Sequence, residues 1–257
     1  MNTIPTSGAR SRRDTRINVE LFDAFQRRLV PDPHPPSAVV LDERYRPGSQ
    51  GMQLGGDFLD AIELPDGALG FVIGDVSGHD ANAAAFGVAL RAGWKALAVA
   101  TPDDPLDWLN VLEDAFFADG RFDGFVTALV GRIVPKTRDV ILATAGHCWP
   151  VKLDGDAQLI EMKPGLPLGL GRAVPRRPLA FTLGDADRLL VYTDGLIENR
   201  KRPDANDRWG EDGLLEWLRS QPGGRPIDLD ALLAHFGPDG FADDVAVMLL
   251  GIDADAL

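Results

Sequence analysis

The chain has 257 residues, of which 45% are hydrophobic and 25% are charged, and it carries a formal net charge of −13. This composition is typical of a folded globular protein with one large domain, rather than of a disordered or membrane protein. The acidic excess argues against nucleic acid and membrane lipid as partners, because both are bound by neutralising phosphates with Lys and Arg.

The sequence also indicates a compartment. The single cysteine, Cys148, cannot form a disulfide within the chain, so nothing indicates an oxidising environment. The apolar run from Ala83 to Ala100 is interrupted by Arg91 and Lys95, and no apolar stretch follows the arginines near the N-terminus. We therefore predict a cytoplasmic protein without an export signal or membrane span.

The first predicted element is an amphipathic helix from Thr15 to Val30, with Asp14 available as its N-cap. Its apolar stripe consists of Ile17, Leu21, Phe22, Phe25 and Leu29. Prolines at 31, 33, 35 and 36 end the helix and indicate a linker, which divides the chain into an N-terminal segment, 1–36, and a folded domain, 37–252. The stripe either packs on its own domain or is covered by a second copy or a regulator, because a helix this short is marginal alone.

Beyond the linker, short apolar runs bounded by turn residues alternate with helical patterns. The predicted strands are Ala38–Tyr45, Phe58–Leu64, Leu69–Val76, Phe125–Val134, Asp139–Ala145, Pro178–Leu183, Arg188–Thr193 and Val245–Ile252. The predicted helices are Ala81–Ala100, Pro105–Ala118, Leu214–Arg219 and Ile227–Phe236. We expect the first three strands to form an antiparallel meander, and the order of elements indicates an α+β fold of sheet and helix layers.

Aspartates recur where predicted strands begin or end. Asp57 follows two glycines before a strand, Asp75 ends the apolar run from Leu69, Asp194 follows the run from Leu189, and Asp243 and Asp244 precede the last strand. Each alone is compatible with a turn, since turns favour Asp and Gly. Together they predict a carboxylate cluster, because three of these strands are apolar enough to share one core. Two like charges 4 Å apart cost about 4 kcal/mol at an effective dielectric of about 20, so such a cluster needs cations. Oxygen ligands select hard ions such as Mg²⁺ or Mn²⁺.

Five segments resemble, in order and spacing, the bacterial PPM protein serine/threonine phosphatases of the SpoIIE and RsbU branch. The segments are Leu54-Gly55-Gly56-Asp57-Phe58-Leu59-Asp60, Gly74-Asp75-Val76-Ser77-Gly78-His79-Asp80, Ala145-Gly146-His147, Tyr192-Thr193-Asp194-Gly195-Leu196-Ile197-Glu198 and Asp243-Asp244-Val245-Ala246-Val247. The resemblance covers about 39–250. It implies an αββα sandwich, in which two antiparallel sheets flanked by helices hold two Mn²⁺ or Mg²⁺ ions.

The resemblance also implies residue roles. Asp75 would bridge both ions, and the Val76 carbonyl would bind one of them. Asp57, Asp194 and Asp243 would complete the metal sites directly or through water. Asp244 would orient the attacking water or a neighbouring ligand, so the catalytic residues would be Asp57, Asp75 and Asp244. Which of Asp243 and Asp244 binds metal remains open at this stage.

The implied activity is metal-dependent hydrolysis of phosphoserine or phosphothreonine on a protein. A pair of divalent ions can activate water for direct attack on phosphorus, so no covalent phosphoenzyme is required. The implied substrate is a phosphorylated STAS-domain protein, an antagonist of an anti-sigma factor, whose dephosphorylation would release a sigma factor. The loop 199–208 is either a contact for this partner or a solvated surface loop. The alternative function is a phosphatase fold without activity that binds partners, although the motif acids are all present.

Three other patterns in the sequence allow a different interpretation or a purely structural role. Gly55-Gly56-Asp57-Phe58 resembles a diguanylate cyclase signature but lacks its second acid and leaves four motifs unexplained. His147-Cys148 is a poor thiol catalytic pair, since adjacent strand residues point to opposite faces, and Cys148 is expected to pack. His79 could support the site or be structural, and for His147 the structural role is favoured.

Overall fold

The computed structural model describes residues 33–48, 55–78, 80–118, 120, 122–163, 165–201, 207–222, 226–253 and 256. The predicted helix at 15–30 with its apolar stripe lies outside the described residues, as do Leu54 and His79. Most of the N-terminal segment 1–36 and the centre of the loop 199–208 lie outside them too.

The described residues form two five-stranded antiparallel sheets. The sheet that we call the β10 sheet has the order β1 (Val39–Arg46), β10 (Val245–Ile252), β9 (Arg188–Tyr192), β6 (Val151–Leu153) and β7 (Ala157–Leu159). The β3 sheet has the order β2 (Phe58–Glu63), β3 (Leu69–Val76), β4 (Val126–Val134), β5 (Asp139–Ala145) and β8 (Leu179–Thr182). The helices are α1 (Ala81–Ala100), α2 (Pro105–Phe117), α3 (Gly195–Glu198), α4 (Gly210–Ser220) and α5 (Leu229–Phe236).

The two sheets pack face to face and a helical layer covers each outer face. In β3, Phe71 and Ile73 belong to the core between the sheets, whereas Val72 packs in the cluster formed with α1 and α2. In β10, Met248 faces the central core and Val247 faces the cluster that contains α4 and α5. Strands buried on both faces read as continuous apolar runs, which is why the sequence shows them so clearly. The expected αββα sandwich and α+β class are confirmed.

The expected three-strand meander is wrong in one respect. β1 does not pair with β2 but crosses to the other sheet, where it lies antiparallel to β10 with Leu41 opposite Leu250. The meander instead consists of β2, β3, β4 and β5. The reason is that a strand's apolar pattern reports burial and not its partner, and the 47–57 connection is long enough to change sheets. The chain also pairs earlier than β1, because His34 bridges in parallel to Ile62 at the edge of β2.

The helix α1 is long and apolar enough, by length and composition, to cross a membrane. Core helices of folded proteins pass the same test, and α1 packs on the β3 sheet with Leu90, Trp94 and Ala98 buried. Arg91, which interrupts its apolar run, forms an ion pair with Asp60 of β2. These contacts make α1 part of the sandwich.

Candidate metal centre

The aspartates of the predicted cluster lie at one end of the sandwich, and both sheets contribute to it. In the β3 sheet, Phe58 pairs with Gly74, which brings Asp57 to the level of Asp75. In the β10 sheet, the Thr193 N–H donates to the Ala246 carbonyl at 3.0 Å, so the end of β9 lies beside the start of β10. Asp194 follows Thr193 just past the end of β9, and Asp243 and Asp244 directly precede β10.

Asp57 is fixed by a hydroxyl group that joins the two sheets. Its side chain is buried, with only 3% of the residue exposed. The Thr193 hydroxyl donates to Asp57 Oδ2 at 2.7 Å and accepts from the Ala246 N–H at 2.9 Å. This threonine is therefore a link from the β10 sheet to a carboxylate of the β3 sheet. Thr193 belongs to one of the five motifs, but its role was not predicted, because a polar residue between a strand and an aspartate also fits a turn.

Asp244 is likewise buried and held by backbone. Its Oδ1 accepts from the Gly48 N–H at 2.8 Å, and its own N–H donates to Asp243 Oδ1 at 2.9 Å. Gly55 leaves the room that this carboxylate occupies, since a Cβ at Gly55 would lie 1.2 Å from Asp244 Oδ2. Asp244 is buried and Asp243 is exposed, so the two acids, which the sequence did not distinguish, have different surroundings.

A second glycine keeps two oxygen donors accessible. The Val76 N–H donates to the Gly56 carbonyl at 3.3 Å, which places these two backbones in contact. A Cβ at Gly56 would lie 2.2 Å from the Val76 carbonyl oxygen and 3.1 Å from Asp75 Oδ1. The absence of a side chain at Gly56 therefore allows the two backbones to approach closely and leaves the carbonyl and the carboxylate oxygens uncovered on this side.

The electrostatics follow from burying several acids together. Burial raises the pKa of Asp57 well above its usual range, and the charges of Asp75 and Asp244 add to the effect. Burial, with repulsion from Asp194 and Asp243, raises the pKa of Asp75 to about 7. Burial is also the largest cause that raises the pKa of Asp194 and of Asp244. Positive charge placed near these acids would favour their ionised forms and so oppose both the burial and the repulsion that raise their pKa values.

The donor set fits a hard divalent cation. Its donors are carboxylate oxygens and one backbone carbonyl, which are the ligands that Mg²⁺ and Mn²⁺ prefer. The Val76 carbonyl oxygen and Asp75 Oδ1 both lie close to Gly56, where no side chain covers them. Within the residues that the structure describes, no three His, Cys, Asp or Glu side chains converge into a group that could hold an ion. The structure thus gathers the predicted residues at one end of the fold, and their assignment as ligands remains a prediction.

His147 and Cys148 have separate environments. The His147 ring is hydrogen-bonded through Nδ1 to the Thr127 hydroxyl at 2.9 Å, and the His147 backbone N–H donates to the Thr144 hydroxyl at 3.2 Å. Burial lowers the pKa of His147 to about 4, so the ring is neutral at pH 7. Cys148 packs against the cluster between the β10 sheet and its helices, and burial raises the pKa of its thiol. Both residues lie past the end of β5, and their packing favours structural roles.

A groove of about 940 Å³ lies beside this end of the fold. Ser77 and Gly78, which follow the Asp75 segment, form one wall, and Phe86, Phe116 and Phe122 form an apolar part of the lining. The Phe86 and Phe122 rings are stacked with their centroids 3.9 Å apart. The groove therefore joins an apolar surface to the segment that carries Asp75.

Comparison with known proteins supports the fold and the family. A family model described as stage II sporulation protein E (SpoIIE) matches residues 65–253, a region that includes Asp75, Asp194, Asp243 and Asp244 and begins after Asp57. The structure of the RsbU and RsbW domains of Rv1364c from Mycobacterium tuberculosis is 28% identical, with a TM-score of 0.73, and the match covers 86% of this chain and 62% of that chain. The chain thus spans less than two thirds of the length of that relative.

Two further solved structures share the fold at low identity. The SiaA-PP2C domain of Pseudomonas aeruginosa has a TM-score of 0.73 at 17% identity, and the match covers 96% of this chain and 100% of that chain. RsbX in complex with magnesium has a TM-score of 0.60 at 13% identity, covering 83% of this chain and 94% of that chain. At these identities the likeness concerns the fold alone.

Proposed function

The chain belongs to the SpoIIE family, within the PPM phosphatases of the SpoIIE and RsbU branch, and we propose that it hydrolyses phosphoserine or phosphothreonine on a protein. The observation that carries the proposal is the cluster of acids that both sheets bring to one end of the sandwich. Asp57 and Asp75 come from the β3 sheet, and Asp194, Asp243 and Asp244 come from the β10 sheet. Phosphate is anionic, so such a cluster is compatible with phosphate chemistry only if cations offset its charge.

We assign Asp57, Asp75, Asp194, Asp243 and the Val76 carbonyl as the groups that hold two Mg²⁺ or Mn²⁺ ions. When bound, these ions supply positive charge for the phosphoryl oxygens and activate water for attack. The magnesium in RsbX, a protein of the same fold, supports this choice of ion. The donor chemistry of this chain supports it independently, since every proposed donor is an oxygen.

The chain's own residues prepare the site for that chemistry. Thr193 holds Asp57 in one orientation, and the Gly48 N–H does the same for Asp244, which is proposed to orient the attacking water. Asp57, Asp75 and Asp244 are the proposed catalytic residues. No Lys or Arg occurs within the five motifs, so the cations must carry most of the charge stabilisation.

The proposed substrate is a phosphorylated STAS-domain protein of a partner-switching pathway that controls a sigma factor. The motif resemblance to RsbU and SpoIIE supports this substrate, as does the likeness to the structure with RsbU and RsbW domains. The groove beside Ser77 and Gly78 offers room for the residues next to the phosphorylated one. A cytoplasmic location, and dimerisation or regulator binding through the helix predicted at 15–30, are parts of the same proposal that rest on the sequence.

The test is phosphate release from phosphorylated STAS proteins of the same genome and from an aryl phosphate, with and without Mn²⁺ or Mg²⁺. Activity should require metal, and Asp75→Asn should lower it by at least about 10²-fold, which is the usual cost of removing one preorganised group that stabilises the transition state. Asp66→Asn, at the far end of the β2–β3 hairpin, is the matched control and should keep wild-type rates.

Three outcomes test metal-dependent catalysis, specificity for STAS proteins and the alternative of an inactive binding module. Wild-type rates after EDTA treatment, or in a folded Asp75→Asn variant, would contradict metal-dependent catalysis. Comparable rates on arbitrary phosphopeptides would contradict the STAS specificity. Tight binding of a phosphorylated STAS protein without phosphate release at any metal concentration would support the alternative of an inactive binding module.

A further inference from the structure

Asp60, the last residue of the first motif, is buried but is neither a proposed metal ligand nor a proposed catalytic residue. Only 1% of it is exposed, and its Oδ1 accepts from the Ala61 N–H at 2.9 Å. Its Oδ2 forms an ion pair with Arg91 of α1, whose side chain is 11% exposed, and lies 4.0 Å from Lys95 Nζ. A buried carboxylate persists only when it is paired, so Asp60 depends on α1.

The pair connects the two segments that carry Asp57 and Asp75. Asp60 lies three residues after Asp57 on β2, and Arg91 lies on the helix that the chain enters after the Asp75 segment. The same segments already meet through the pairing of Phe58 with Gly74. The ion pair therefore closes a second connection between them, through the helix rather than through the sheet.

The rest of the α1 interface is apolar. Leu90, Trp94 and Ala98 pack in the cluster between α1, α2 and the β3 sheet. Apolar contacts are non-directional and tolerate a small shift of a helix along or about its axis. A buried ion pair contributes little net stability when compared with apolar residues, and its best-attested use is to fix register.

We propose that Asp60 and Arg91 are positioning residues, which set the register of α1 and thereby hold the Val76 carbonyl and the turn at Ser77 and Gly78 against the Asp57 side of the site. The expected effect of the pair on metal and substrate binding rests on the proposed function. Its expected effect on the position of the backbone around Val76 is independent of that function.

The test compares two double variants. Asp60→Asn with Arg91→Met removes both charges with little change in side-chain volume and leaves an oxygen at 60 for the Ala61 N–H, so no unpaired buried charge remains. The control, Asp66→Asn with Arg132→Met, removes the partly buried ion pair that joins the β2–β3 turn to β4, at the end of the β3 sheet away from the aspartates. Asn at 66 can keep the hydrogen bond from the Ala68 N–H.

Two measurements are made on each protein. Amide hydrogen exchange at Val76, Ser77 and Gly78 in metal-free protein should be about tenfold faster in the Asp60/Arg91 variant, because a segment held by fewer contacts opens more often. The Mn²⁺ dissociation constant by calorimetry should rise by about 10-fold to 100-fold, the usual effect of losing groups that orient ligands. The Asp66/Arg132 variant should match wild type in both.

A folded Asp60/Arg91 variant with wild-type exchange and Mn²⁺ affinity would overturn the proposal and leave the pair a purely structural one. If that variant does not fold, Arg91→Lys replaces it. Lysine keeps the charge but loses the planar fork, so smaller changes in the same direction are expected, and wild-type behaviour would overturn the proposal. If wild-type protein neither binds Mn²⁺ nor releases phosphate, the proposed function fails, and the exchange measurement alone decides whether the pair positions the segment.

Discussion

Replacing Gly56 with alanine should disable the candidate site without removing any proposed ligand. The new methyl carbon would lie 2.2 Å from the Val76 carbonyl oxygen and 3.1 Å from Asp75 Oδ1. Side-chain rotation cannot relieve the first contact, because both groups in it are fixed to the backbone. Val76 is held on its other side by its pairing with Val126 of β4.

The size of the effect follows from that distance. A carbon–oxygen contact needs about 1 Å more than is present, so the two backbones must separate by about that amount. Overpacking of this kind costs about 1–3 kcal/mol of stability, which corresponds to roughly 2–12 °C in melting temperature for a domain of this size. Misplacement of a site by about 1 Å can lower the rate by about 10²-fold.

The assay measures melting temperature and metal-dependent turnover of an aryl phosphate for Gly56→Ala and for a control, Gly213→Ala. Gly213 lies in α4, where a Cβ would make only ordinary contacts at 3.4 and 3.5 Å with Trp209. The control should be unchanged or up to about 1 kcal/mol more stable, since alanine favours helix. A Gly56→Ala protein with wild-type melting temperature and turnover would refute the argument from the Val76 contact.

Two further predictions concern the residues that support the site. Thr193→Val removes the hydroxyl that donates to buried Asp57, so the free energy of unfolding in urea should fall by about 1–3 kcal/mol. The control, Thr182→Val, removes an exposed hydroxyl and should change that free energy by less than about 0.5 kcal/mol. Equal losses in the two variants would contradict the link between the sheets. His147 is protonated below about pH 6.5 in the unfolded chain but only below about pH 4 in the folded protein. The stability of wild type should therefore fall relative to that of His147→Asn, by up to about 3 kcal/mol, as the pH drops from 6.5 to 4. A parallel pH dependence of the two proteins would show that the ring is not buried in its neutral form.

Much of the fold was predictable because burial on both faces of a strand leaves a plain signal. The predicted bounds of Leu69–Val76, Asp139–Ala145, Ala81–Ala100 and Val245–Ile252 agree with the structure residue for residue. A polar residue or a glycine lies within two residues outside each of these boundaries. The strands β6 and β7 were missed because three residues each are too few to show a period of two.

The site was predictable in its aspartates but not in the contacts that hold them. A carboxylate at the end of an apolar strand is visible in a sequence, and the order of the motifs indicated which acids would meet. The partner of Asp60 was not visible, since Arg91 is 31 residues away on a helix and looks like a solvated residue interrupting an apolar run. Pairing of β1 with β10 was hidden for the same reason, because long-range partners leave no local pattern.

These hidden contacts matter because the cluster works against the stability of the fold. Each pair of like charges about 4 Å apart costs about 4 kcal/mol at an effective dielectric of about 20, against a total stability of about 5–15 kcal/mol. The pKa values of Asp57 and Asp75 are raised by burial and by this repulsion, which both disfavour the ionised carboxylates. A cation that binds only the folded state offsets the repulsion, and at 100 times its dissociation constant adds about 2.7 kcal/mol of stability. Until a cation binds, the acids must be held in place by groups that are not themselves ligands. Thr193, the Gly56 contact and the Asp60–Arg91 pair are such groups, so their loss should weaken cation binding while every carboxylate of the cluster is still present.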